Sequence, residues 1–113
     1  MTEAQEPFKR ISVQEADEMR QRGVPIIDCR EVDEYAEGHV VDAPLIPYMS
    51  VFNRADEIET IVGGKDTPLM FICAKGQRSA VACEFAAAAG FSDLYNVEGG
   101  TDDWVAADLP IEK

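Results

Sequence analysis

Positive charge is scarce in this chain: lysine and arginine together number 10 against 22 aspartates and glutamates, a formal net charge of −12 over 113 residues. A surface of that sign does not bind the phosphates of nucleic acid, and it does not favour an anionic membrane. Long apolar runs are also lacking. No stretch approaches the roughly 20 apolar residues of a membrane span, and residues 1–10 are polar, without the apolar centre of a secretory signal. A cytoplasmic location is the expectation. Histidine occurs once, as His39, and cysteine three times, as Cys29, Cys73 and Cys83. These four residues stand at no spacing that would ligate a metal, so neither metal nor cofactor is expected. An odd number of cysteines without a secretory signal suits reduced thiols, one of which is free to be reactive. Internal repeats and low-complexity segments are absent as well. The length then predicts one domain over 8–113, preceded by a disordered segment over 1–7.

What is present reads as strands alternating with helices. Ser12-Val13-Gln14-Glu15 is a capping-box pattern, and the apolar spacing after it predicts a helix over about 13–22, closed by Gly23. Val24 to Ile27 reads as a buried strand leading into Asp28. Glu31 to Glu37 predicts a short helix, with acids in its first turn and Gly38 at its end. Ser50 is expected to cap a helix carrying Val51, Phe52, Ala55, Ile58, Ile61 and Val62 on one side, stopped by Gly63-Gly64. Leu69 to Ile72 shows no alternation, as a parallel strand covered on both faces should not. Ser79 to Ala89 predicts a helix, Leu94 to Val97 a strand, and Gly100 to Ala107 a last short helix. The pattern is that of an α/β protein with a mainly parallel central sheet and helices on both faces, its functional groups at the C-terminal ends of strands.

Cys73 sits at such an end. Ala74, Lys75, Gly76, Gln77 and Arg78 form a short loop after it, and Ser79 opens an alanine-rich helix. Backbone N–H groups of such a turn can converge on one point. The helix N-terminus adds partial positive charge there, and Lys75 and Arg78 favour an anion further. Cys73 is thus the candidate nucleophile, with the loop from Ala74 to Ser79 as its substrate-binding segment. Gly76 is expected to take a positive φ inside the curl. Trp104, Phe71, Phe85 and Phe91 read as core, and Cys83 as helix packing.

The spacing C-x-x-G-x-R followed by serine resembles the active-site loop of the rhodanese-like sulfurtransferases. Asp28-Cys29-Arg30-Glu31, Glu34-Tyr35, Gly38-His39-Val40 and Ile46-Pro47 are similar to stretches of that family in the same order. So are Val97-Glu98-Gly99-Gly100, Trp104 and Leu109-Pro110 near the C-terminus. The resemblance implies a rhodanese-like three-layer fold and a thiosulfate sulfurtransferase. In it, a Cys73 thiolate takes a sulfane sulfur from thiosulfate or a protein persulfide and hands it to cyanide, a thiol or a protein acceptor. It further implies structural support from Asp28 and Arg30, and a hydrogen-bonded structural role for His39. Cys29 stands where the family usually has an inward-packed apolar residue, which favours burial over service as a resolving thiol. Asp42 and Asp108 replace glycines common in the family, and aspartate tolerates left-handed backbone. Phosphatases and arsenate reductases of related fold use a C-x-x-x-x-x-R loop, one residue longer than the one here. The alternatives to turnover are a non-catalytic binding or regulatory module and a carrier of persulfide sulfur.

Overall fold

The computed structural model describes residues 6–113, so the expected disordered segment over 1–7 falls mostly outside the described residues. The central sheet has four parallel strands in the order β1-β5-β4-β2: β1 (Lys9–Ile11), β2 (Ile26–Asp28), β4 (Leu69–Ile72) and β5 (Leu94–Val97). A two-stranded antiparallel ribbon, β3 (His39–Val40) with β6 (Ile111–Glu112), lies apart from it. Among the described residues five α-helices accompany the strands: α1 (Val13–Gln21), α2 (Val32–Glu37), α3 (Ala55–Val62), α4 (Gln77–Ala88) and α5 (Gly100–Ala106).

The side-chain alternation of the strands divides the core into two layers. Ile11, Ile26, Met70, Ile72 and Val97 pack on one face with Val13 and Ala16 of α1 and Trp104 of α5. Ile27, Leu69, Phe71 and Leu94 pack on the other with Ile58 of α3 and Ala82, Cys83 and Ala86 of α4. Every residue of β4 is buried, as its unbroken apolar run requires of a strand covered on both faces. This is the expected parallel α/β architecture. Because all four strands run the same way, the chain segments leaving β2, β4 and β5 emerge at one edge.

Local signals account for most helix ends. Ser12 and Glu15 close the reciprocal capping box of α1 at 3.1 and 3.0 Å. Glu31 begins α2, and Gly38 ends it. Asp42 and Asp108 adopt φ of 68° and 58°, so the two aspartates do occupy left-handed backbone.

Two expectations need correction, and three short strands were not expected. Ser50 does not cap α3: Tyr48–Ser50 is a 3-10 turn, and α3 starts at Ala55 after Arg54. The Tyr48 amide bonds the carbonyl of Cys29 at 3.0 Å, which ties this segment to the end of β2 and keeps it a tight turn. As a result Val51 is buried while Phe52 and Ile61 face solvent. The helix after the Cys73 loop starts at Gln77 rather than Ser79, because Gly76 is its left-handed first cap. Finally β1, β3 and β6, of two or three residues each, are too short to show a periodicity.

Candidate active site

Cys73 follows β4 directly and is only 1% exposed. Its sulfur accepts the Gly76 amide at 3.1 Å and the Ser79 hydroxyl at 3.3 Å. Both donors exist because of the local backbone. Gly76 has φ 108°, which folds the loop back over the sulfur, and α4 begins at the next residue. Ser79, fully buried, lies in the first turn of α4.

The loop is also fastened from outside. Thr101 and Asp102, in the first turn of α5, donate their amides to the carbonyls of Cys73 and Ala74 at 2.8 and 3.1 Å. Gly100 lets them approach so closely: a Cβ there would fall 2.2 Å from the Cys73 carbonyl oxygen.

A polar chain runs from the sulfur out to the surface. The Ser79 hydroxyl also faces Asn96 Oδ1, its single proton shared between that oxygen and the Cys73 sulfur, and the Asn96 amide nitrogen donates to the Gly76 carbonyl at 3.1 Å and to the Glu98 carboxylate. Glu98 in turn accepts Arg10 at 2.9 Å. Sequence reading treated Asn96 only as part of a strand. A polar residue among Leu94, Tyr95 and Val97 in a central strand was the available signal.

The cations behave differently from the sequence expectation. Arg78 is held by both carboxylate oxygens of Glu34, at 2.7 and 2.9 Å, and Lys75 reaches Asp102 at 3.3 Å across an exposed surface. The groups that touch the Cys73 sulfur are neutral. The Cys73 thiol is nevertheless held well below the usual thiol range. The neighbouring Cys29 thiol is the largest influence, opposed by burial and reinforced by the Ser79 hydroxyl and the amides of Ser79 and Gly76. Cys29 moves the other way: burial first, then Cys73, push its thiol up and keep it protonated. It is fully buried and donates to the Ile72 carbonyl at 3.3 Å. Burial likewise raises the Cys83 thiol.

The remaining residues singled out from sequence take these places. Ala74 is half-buried, and Lys75 and Gln77 are exposed. Asp28 and Arg30 form a buried ion pair with contacts of 2.8 to 3.1 Å, and Arg30 also donates to the Gly38 carbonyl at 2.7 Å, joining the end of β2 to the end of α2. His39 stacks on Tyr35 with 3.7 Å between ring centroids and lies within 3.3 Å of Glu112, where it joins the ribbon to α2. Among the described residues no group of histidine, cysteine, aspartate or glutamate has metal-binding geometry.

A family model described as "Rhodanese-like domain" matches residues 12–107. The chain belongs to the rhodanese-like domain family. Its curated relatives include a "Thiosulfate sulfurtransferase GlpE" of Pseudomonas putida (strain GB-1), 36% identical over 100 residues that cover 88% of this chain and 86% of the relative. Another of the same name from Pseudomonas entomophila (strain L48) is 34% identical over 97 residues, 86% of this chain and 84% of that one. Among solved structures, a rhodanese-related protein of Thermoplasma volcanium has a TM-score of 0.78 at 27% identity, over 93% of this chain and 98% of its own. A Rhodopseudomonas palustris protein described as of unknown function and a "possible tyrosine phosphatase" has a TM-score of 0.83 at 26% identity, over 93% and 85%. The rhodanese-like fold is therefore common to all of them, and the named curated relatives are sulfurtransferases. Among the described residues no helix of this rhodanese-like chain is long and apolar enough to cross a membrane.

Proposed function

We propose that this chain transfers sulfane sulfur through a persulfide on Cys73. The observation that carries the reading is the pair of neutral donors, Gly76 N–H and Ser79 O–H, aimed at a buried sulfur at the C-terminal end of a central strand. Such donors stabilise one anionic sulfur atom without the charge that would bind a larger oxyanion as tightly. The thiolate attacks the outer sulfur of thiosulfate, the S–S bond breaks, and sulfite leaves with the electron pair. Cyanide or a thiolate, small or borne by a protein, then attacks the outer sulfur of the persulfide and regenerates the Cys73 thiolate. A protein persulfide can replace thiosulfate as donor in the first step.

Phosphoryl transfer is the rival that the Rhodopseudomonas palustris neighbour brings in. Two features oppose it. Only four residues separate Cys73 from Arg78, and the Arg78 guanidinium is taken up by Glu34 instead of lying open to grip an oxyanion. The buried, free thiols Cys29, Cys73 and Cys83 fit a reducing compartment.

Thiocyanate formation from thiosulfate and cyanide tests the proposal. The parent should turn over and Cys73→Ser, nearly isosteric, should not. Turnover by Cys73→Ser close to the parent rate would remove Cys73 from the reaction.

A further inference from the structure

β2 and β4 run parallel in the register Ile26 with Met70, Ile27 with Phe71 and Asp28 with Ile72. The odd-numbered residues of both strands, Ile27, Leu69 and Phe71, belong to one face of the sheet, and Cys29 and Cys73 belong to the same cluster. Ile26, Met70 and Ile72 belong to the other. Pairing persists past the end of β2, since the Cys29 amide bonds the Ile72 carbonyl at 2.9 Å. One further step in register therefore sets Cys29 opposite Cys73 with both side chains on the α4 side. Adjacent strands lie about 4.8 Å apart, inside the roughly 4.4–6.8 Å Cα separation that a disulfide spans. The two thiols also perturb each other: Cys73 is the main neighbour raising Cys29, and Cys29 the main group lowering Cys73.

An apolar residue would fill the Cys29 position equally well, so the cysteine adds something only toward its neighbour. Like Cys73 it is buried, and the two belong to one cluster on the same face of the sheet.

We propose, resting on the sulfur-transfer reading, that Cys29 is a resolving thiol for the Cys73 persulfide. The Cys29 sulfur attacks Cys73 Sγ, and the bond between Sγ and the outer sulfur breaks. The outer sulfur leaves with the electron pair and the thiol proton as HS⁻, and a Cys29–Cys73 disulfide remains. The two cysteine sulfurs are oxidised by two electrons while the sulfane sulfur is reduced to sulfide, so no outside oxidant enters. A dithiol reductant, small or borne by a protein, returns the disulfide to two thiols. The cycle converts thiosulfate to sulfite and sulfide at the expense of that dithiol, whereas cyanide or a competing thiol diverts the outer sulfur before resolution. Cys83, buried on α4 and paired with neither strand, takes no part.

The test is single-turnover loading of the reduced parent with thiosulfate, without oxygen and without acceptor. Sulfite and sulfide are trapped, and free thiols are blocked before non-reducing peptide mapping. The expected result is about one sulfide released for each sulfite and a cross-linked pair of peptides containing Cys29 and Cys73, reopened by dithiothreitol. Cys29→Ala and Cys29→Ser should both stop at the persulfide, releasing sulfite with no sulfide. A parent that releases sulfite and keeps a lasting persulfide, with no cross-link and no sulfide, overturns the resolving role and leaves sulfur transfer standing. A parent that releases no sulfite at all overturns both.

Discussion

Glu34 grips Arg78 through both carboxylate oxygens, at 2.7 and 2.9 Å, and so takes up one of the two cations of the Cys73 loop. Arg78 holds the Glu34 carboxyl down to about 2, against an unfolded value near 4.3. A carboxyl lowered by folding contributes stability that is fully present above its unfolded pKa and is lost as pH falls through the folded one. The pair should therefore cost the protein stability progressively from about pH 4.3 to about pH 2. Both side chains are close to a third exposed, so solvent screening keeps the contribution to about 1 kcal/mol. Urea denaturation of Glu34→Gln should show that loss at pH 7 and a smaller difference from the parent near pH 2.

Because neutral donors face the sulfur, the cations are expected to matter less to the thiolate than the hydroxyl does. Ser79→Ala removes one of the donors to Cys73 and should raise the pH at which Cys73 is half alkylated by iodoacetamide. It also deprives the buried Asn96 Oδ1 of its partner, at a cost of about 1–3 kcal/mol in denaturant unfolding. Lys75→Ala, at an exposed pair with Asp102, should move the alkylation midpoint far less. A larger shift from Lys75→Ala than from Ser79→Ala would restore the cation as the main influence.

Gly100 has a sharper requirement than conformational freedom. The Cβ of alanine would meet the backbone of Cys73 and Ala74 at 2.2 to 2.6 Å, and backbone cannot swing aside as a long side chain can. Gly100→Ala should push the loop off the start of α5. The expected cost is about 1–3 kcal/mol of stability, and displacement of the sulfur should lower thiosulfate turnover by on the order of 100-fold. Steady-state kinetics alongside thermal unfolding separates the two effects, and parent-like turnover would show that the loop accommodates the methyl.

How much of this was legible in the residues alone depends on how local the determinant is. The strand-loop-helix around Cys73, the capping box at Ser12, and the positive φ of Gly76, Asp42 and Asp108 are written in a few adjacent positions, and all appear as expected. The partner of Arg78 is 44 residues away and that of Ser79 is 17 away, so a single sequence gives no sign that either bond forms. Lys75 and Arg78 looked like free cations for that reason. Ser50 misled in the opposite way: its local pattern suits a helix cap, but the Tyr48 amide is committed to the end of β2. Cys29 was legible as buried. Its position opposite Cys73 needs the register of two strands more than 40 residues apart.

Mass spectrometry of the reduced parent, quenched early after mixing with thiosulfate and digested without reductant, tests the central claim most directly. The Cys73 peptide should gain the mass of one sulfur atom, and cyanide added before digestion should remove it with formation of thiocyanate. The absence of both added sulfur on Cys73 and a Cys29–Cys73 cross-link, or sulfur found on the Cys83 peptide instead, would contradict the account.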